Sequence, residues 1–262
     1  MRRVRLGAVG YLNARPLVHG LDGRPDLFDV RFDVPSKCAE LLHGGGIDLG
    51  LIPSIEYLRG REPYRIVPDL GIVSDGDVAS VALFSRAATG GVRTIGLDTS
   101  SRTSVALTRV LCREAWGIDP TFVDMPPERA VRVEGVDAAL LIGDPALFLD
   151  HAAAGLTKID LGREWTALTG LPFVWAFWAG RRGAVDPDGV TALQAARDRG
   201  VRDSDAIADA YCGAARAGLC RTYLRENIKY GLGGRETQGL RRYYELAAKH
   251  GLIDDARAPE FF

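Results

Sequence analysis

The sequence predicts an α/β protein built as two lobes that the chain crosses between twice, with a ligand cleft where they face each other. Three observations predict it. Short apolar runs alternate with helical stretches from the N-terminus onward. The same alternation starts afresh near residue 86, after a small, turn-rich segment, and helical periodicity takes over from Asp186. A length of 262 residues admits either one large core or two lobes of about 100 to 150 residues, and the renewed alternation points to two. We expect residues 1–85 and 180–262 to form the first lobe and 86–179 the second.

The first strand is read from Val4 to Val9, and the turn Gly10-Tyr-Leu-Asn13 leads into a short helix whose first turn accepts Pro16. A second strand covers Phe28 to Val34. Pro35-Ser36 then opens a helix through Leu42, with Ser36 as its cap and Gly44-Gly45-Gly46 as its stop. Ile47 to Ile52 is the third strand, and Pro53-Ser54 starts a helix through Leu58. This order argues for a parallel sheet covered on both faces. Apolar β runs follow at Leu70–Val73 and Val78–Phe84. Beyond the crossover, Thr94–Leu97 is a strand, Thr103–Trp116 a helix, Phe122-Val123 a strand, Ala138–Ile142 a strand and Ala146–Asp150 a helix. Phe173–Ala179 is a buried strand leading back to the first lobe. From Asp186 the apolar positions Val190, Leu193, Ala196, Ile207, Tyr211 and Ala215 recur at helical spacing, on helices expected to pack against lobe one.

Composition narrows the function. The chain is 47% hydrophobic and 26% charged, enough for a sizeable core, and its net charge of -1 comes from basic and acidic residues that are interleaved, which argues against nucleic acid as a partner. Cys38, Cys112, Cys212 and Cys220 form no CxxC pair and have no histidine at ligand spacing, so they read as packing residues. The N-terminal MRRVRLGAVG lacks an apolar segment of signal-peptide length, and no run reaches the 18 apolar residues of a membrane span. The expected location is the cytoplasm, away from membranes. Nothing in the sequence specifies an oligomeric state.

Open α/β sheets bind ligands at the carboxyl ends of strands, beside helix N-termini. That rule selects Tyr11 to Asn13, Ser36, Ser54, Ser80, Asp98 to Ser104 and Gly143-Asp144. In Asp98-Thr-Ser-Ser-Arg-Thr-Ser104, five of seven residues carry hydroxyls just before an apolar helix face. A helix cap needs only one, so a site for a carboxylate or phosphate is the better reading. Ser36 and Ser54, taken singly, read as caps. Asn13 could hold a substrate hydroxyl or brace its own turn, and Asp144 could face the cleft or start a helix. The sequence has no P-loop, no GxSxG elbow and no HExxH. Gly231-Leu-Gly233-Gly234 lacks dinucleotide-binding spacing, and the four histidines are scattered. The aromatic run Phe173 to Trp178 could wall a ring-binding pocket but reads first as core, and Tyr243-Tyr244 carries no functional signal.

Five stretches taken together resemble the chorismate dehydratases of the futalosine route to menaquinone. They are Gly10-Tyr-Leu-Asn-Ala-Arg-Pro-Leu17, Asp48-Leu-Gly-Leu-Ile-Pro-Ser54, Thr99-Ser-Ser-Arg-Thr-Ser-Val105, Ala139-Leu-Leu-Ile-Gly-Asp-Pro-Ala146 and Trp165-Thr-Ala-Leu-Thr-Gly-Leu-Pro-Phe-Val174. The related dihydroxynaphthoate synthase reads Cys-Pro-Asn-Asp-Thr-Phe where this chain has Tyr-Leu-Asn-Ala-Arg-Pro. The resemblance implies a type II periplasmic-binding-protein-like clamp and the dehydration of chorismate to 3-[(1-carboxyvinyl)oxy]benzoate, with no metal or organic cofactor. It places Asn13 as the catalytic residue on the departing hydroxyl. Ser80, Ser100, Ser101, Thr103 and Ser104 become the carboxylate-binding set, with Tyr11, Ser54, Thr99, Gly143 and Asp144 as further substrate-binding residues. For the ring proton the resemblance favours the substrate's own enolpyruvyl carboxylate over Asp144. The competing class is a non-catalytic solute-binding or effector-sensing protein for a small carboxylate.

Overall fold

A computed structural model describes residues 3–262. Lobe one opens with β1 (Val4–Val9), a 3-10 turn at Leu12–Ala14 and α1 (Arg15–Val18). It continues through β2 (Phe28–Asp33), α2 (Pro35–His43), β3 (Leu49–Pro53), a second 3-10 turn at Ser54–Tyr57, and β4 (Tyr64–Ser74). The chain then crosses to lobe two, formed by β5 (Val81–Ser85), β6 (Thr94–Asp98), α3 (Thr103–Glu114), β7 (Thr121–Met125), α4 (Pro127–Ala130), β8 (Ala138–Ile142), α5 (Gly143–Phe148), β9 (Thr157–Asp160) and α6 (Leu161–Thr169). It returns in β10 (Phe173–Arg181) and finishes in α7 (Pro187–Arg202), α8 (Ser204–Cys212), α9 (Ala217–Thr222), a π-helical turn at Tyr223–Asn227 and α10 (Gly234–Lys249).

The two sheets have strand orders β2-β1-β3-β10-β4 and β7-β6-β8-β5-β9. Both are mixed, which corrects the expectation of parallel pairing: β10 runs antiparallel to β3 and β4, and β5 runs antiparallel to β8 and β9. In each sheet the strand that runs against its neighbours is the one that follows a crossing, β5 on entry to lobe two and β10 on return to lobe one. Sheet membership also moves both expected boundaries. The strand at 81–85 belongs to the second sheet and that at 173–181 to the first, so the crossings fall in the segments joining β4 to β5 and α6 to β10.

Strands that are covered on both faces read as continuous apolar runs. β8, AALLI, is buried throughout. Its Leu140 joins Leu83, Ile95 and Leu97 in the main core, while Ala139 and Leu141 join Ala82, Phe84 and Met125 in a smaller core on the other face. The first crossing is pinned by Asp160, the N-cap of α6. Its carboxylate accepts the N–H groups of Val78 (3.0 Å), Ala79 (2.7 Å), Gly162 (2.9 Å) and Arg163 (3.1 Å). Gly162 permits this approach, since a Cβ there would lie 2.5 Å from the Gly76 carbonyl oxygen.

The cysteine reading holds for Cys38 and Cys112, which are buried thiols pushed up to about 12 by burial. It fails for Cys212 and Cys220, which form a disulfide between the end of α8 and α9. The chain reversal after α8 brings their Cα atoms to 6.7 Å, a proximity that their eight-residue spacing does not reveal. Among the described residues, no helix is long and apolar enough to cross a membrane.

Candidate functional site

The lobes meet over a small cavity of about 60 Å³. Lobe one contributes Val9, Tyr11, Asn13, Pro35, Pro53, Ile72, Trp175 and Ala176, and lobe two contributes Val81, Ser101, Thr103, Ser104, Ile142 and Gly143. Apolar walls thus enclose a narrow set of polar groups. Among the described residues, Tyr11 is the single titratable side chain in the lining, and burial raises its phenol above the ordinary value. The cavity therefore contains no strong base and no cation.

The hydroxyl-rich loop presents its groups unequally. α3 takes Arg102 as its N-cap and has no side-chain cap bond, so the hydroxyls of this loop are not consumed in capping. Ser101, Thr103 and Ser104 line the cavity beside the first turn of α3, whose amides have no partner within the helix. Ser100 is tied back instead: its N–H (2.8 Å) and Oγ (2.6 Å) both donate to Asp98 Oδ1, which braces the loop. Thr99 is exposed on the outside of the loop, away from the cavity. The pattern of hydroxyls showed that a loop existed here but not which side of it faced inward.

Several candidates bind the lobes to each other. Thr103 Oγ1 accepts the Ile55 N–H at 3.2 Å and lies 3.3 Å from Ser54 Oγ, so these two hydroxyls face across the cleft. Asp144 starts α5 and turns to lobe one, accepting the Leu12 N–H at 3.1 Å and the Tyr211 hydroxyl at 2.5 Å. With both oxygens engaged it is an interlobe clasp and does not line the cavity. Gly143 packs directly beneath the Tyr11 ring. Ser80, buried at the end of the first crossing, accepts the Gly143 N–H through its carbonyl.

Asn13 sits in the first 3-10 turn, and its Oδ1 is buried with no hydrogen-bond partner. A buried acceptor without a partner is costly, by about 1 to 3 kcal/mol, and a ligand donor would satisfy it. The alternative that Asn13 braces its own turn through this oxygen is not what the geometry shows.

Sequence reasoning missed the contributions of the C-terminal helices and read the run that contains Trp175 first as core. Trp175 reaches the cavity because β10 changes register between Val174 and Ala176, so that the adjacent residues Trp175 and Ala176 both line it. Its Nε1 donates to Ser74 Oγ at 3.1 Å. Four tyrosines on the C-terminal helices reach the cleft loops: Tyr211 binds Asp144, Tyr223 binds Ser80 Oγ (2.6 Å), Tyr243 binds the Thr103 carbonyl (3.0 Å) and Tyr244 the Ser54 carbonyl (2.7 Å). The available signal was tyrosine itself, since a buried phenol on an apolar helix face needs a partner.

Two mixed sheets, two crossings and a pocket between the lobes define a clamp of the periplasmic-binding-protein type. Solved structures with this fold include a protein of Archaeoglobus fulgidus (TM-score 0.78, 18% identity, covering 96% of this chain and 98% of that one). The alkanesulfonate-binding protein SsuA of Xanthomonas axonopodis, bound to MOPS, is another (TM-score 0.72, 17% identity, 98% and 96%). The chain belongs to the menaquinone biosynthesis family, whose profile matches residues 4–249. It is similar to the chorismate dehydratase of Thermus thermophilus, 33% identical over 94% of this chain and 95% of that protein, and to that of Campylobacter jejuni, 31% identical over 63% and 58%.

Proposed function

We propose that the cleft binds chorismate and dehydrates it to 3-[(1-carboxyvinyl)oxy]benzoate. The observation that carries this reading is an apolar cavity between the lobes whose polar groups are hydroxyls, one amide and helix N–H groups, with no strong base among them. It occurs in a chain whose relatives are chorismate dehydratases. Chorismate carries two carboxylates and a ring hydroxyl, and those donors and that acceptor suit it.

In this reading Ser101, Thr103 and Ser104 with the α3 amides hold a substrate carboxylate, and Trp175, Ile72 and Ile142 enclose the ring. Asn13 Oδ1 accepts from the ring hydroxyl and fixes the direction in which it leaves. The ring C–H bond breaks toward the enolpyruvyl carboxylate, which takes the proton. The electron pair stays in the ring, the C–O bond breaks with its pair, and proton and hydroxide depart as water. Aromatisation supplies driving force, so orientation is the protein's main contribution. Asp144 is left as a clasp rather than a base.

A second reading, a receptor that binds a carboxylate without turnover, draws on the likeness to solute-binding folds. Incubating purified protein with chorismate, and following absorbance and product mass, separates the two. Accumulating aromatic product supports dehydration, and chorismate that is bound but unchanged supports the receptor. The compartment that goes with dehydration is the cytoplasm. The Cys212–Cys220 bridge, a bond typical of oxidising compartments, opposes that placement. Thiol labelling of rapidly quenched cells decides it, with free Cys212 and Cys220 supporting the cytoplasm.

A further inference from the structure

We propose that Tyr223 is a positioning residue that aims the Ser80 hydroxyl, together with Asn13, at the departing group of the substrate, an inference that rests on the dehydration reading above. Tyr223 is fully buried on the π-helical turn that follows α9, and its hydroxyl donates to Ser80 Oγ at 2.6 Å. One phenol on the C-terminal helices thus holds the residue that ends the first crossing.

The consequence follows from hydroxyl chemistry. A serine hydroxyl has one proton and two acceptor sites. With the Tyr223 proton directed at Ser80 Oγ, the serine's own proton is free to be donated elsewhere, and the two residues beside it, Val81 and Gly143, both line the cavity. The backbone supports this aim: Ala79, immediately before Ser80, takes φ +61°, a left-handed conformation costly for a residue with a Cβ, and is held there by Asp160. The π-turn adds a second departure from regular structure, at the residue that supplies the phenol. Burial raises the Tyr223 phenol well above its ordinary value, so it remains a donor across the working pH range.

Tyr223→Phe removes only the hydroxyl. Steady-state kinetics on chorismate for Tyr223→Phe, Ser80→Ala and the double variant test the link. Tyr223→Phe is expected to lower kcat about 10-fold with KM within two-fold of wild type, and to cost nothing further in the Ser80→Ala background. Site-specific 3-fluorotyrosine at position 223, which keeps the hydroxyl and the fold, should restore kcat. Should Tyr223→Phe fail to fold, the kcat-against-KM split of Ser80→Ala decides: a kcat loss at unchanged KM supports the proposal, and unchanged kcat overturns it. Losses from Tyr223 and Ser80 that multiply, or a Tyr223→Phe protein with normal kcat, overturn it while leaving dehydration standing. A wild-type protein that gives no aromatic product overturns it together with the reading it rests on.

Discussion

At Gly143 the backbone takes φ +64°, and a Cβ there would stand 2.8 Å from the Tyr11 ring. Gly143→Ala therefore adds left-handed strain of about 1 to 2 kcal/mol and pushes Tyr11 out of the cleft. We expect a several-fold rise in KM for chorismate and a melting temperature lower by a few degrees, read by steady-state kinetics and calorimetry. Titration is a second residue-scale test. Burial raises the Asp98 carboxyl above its ordinary value, against the hydrogen bonds from Ser100 that lower it. Protonation of Asp98 removes the brace on the hydroxyl loop, so KM should rise on the acid side at a higher pH than an ordinary aspartate would give. The linkage sign is that of a raised acid: its contribution to stability is fully present below the unfolded value near 3.8 and is lost as pH rises through the folded one. Loss of affinity in acid is thus expected without unfolding caused by this group. On the basic side, the raised Tyr11 phenol keeps the cavity neutral, so kcat should stay flat from about pH 6 to 9. A kcat that follows a single ionisation near neutral pH would reveal a protein base.

The loop before α3 combines hydroxyls with a helix N-terminus, where a negative charge is favoured by about 0.3 to 1 kcal/mol. Ser104→Ala should raise KM for chorismate with little change in kcat. Thr103→Ala should do the same and also lower stability, because Thr103 Oγ1 holds the Ile55 N–H across the cleft. Unchanged kinetics in both would remove the loop from the site. Much of this element was legible in the sequence: β1, α3 and β8 lie close to where apolar periodicity and Pro and Gly signals put them, and hydroxyl density marked the loop. Which hydroxyls face inward depends on a turn closed by Asp98, and that was not legible. The segment Ser54–Tyr57 is a 3-10 turn in place of the expected helix, and β9 with α6 was passed over because a strand of four residues, TKID, carries little apolar alternation. The aromatic run offered Trp175 as a wall but read first as core, and the change of register in β10 that brings it to the cavity has no signature in composition.

Across the whole molecule the site exists only where the lobes meet, with Asn13 on one and Ser104 on the other. Asp144 ties them through Leu12 and Tyr211. Asp144→Ala should therefore expand the particle in small-angle scattering and raise KM while largely preserving kcat. A collapse of kcat at unchanged KM would make Asp144 the base. The double crossing was legible from the renewed alternation of strands and helices, but the antiparallel return of β10 and the reach of α10 onto Thr103 depend on long-range packing. That the assembled cleft dehydrates chorismate by orienting it is tested most directly by the turnover of Asn13→Leu against wild type at saturating chorismate, with folding checked by circular dichroism. Leucine keeps about the same volume and removes the amide, so turnover should fall about 10² to 10³-fold, by analogy with the loss of one oriented polar contact, with a smaller change in KM. Near-normal turnover in a folded Asn13→Leu protein would contradict the role given to this residue and to the cleft built around it.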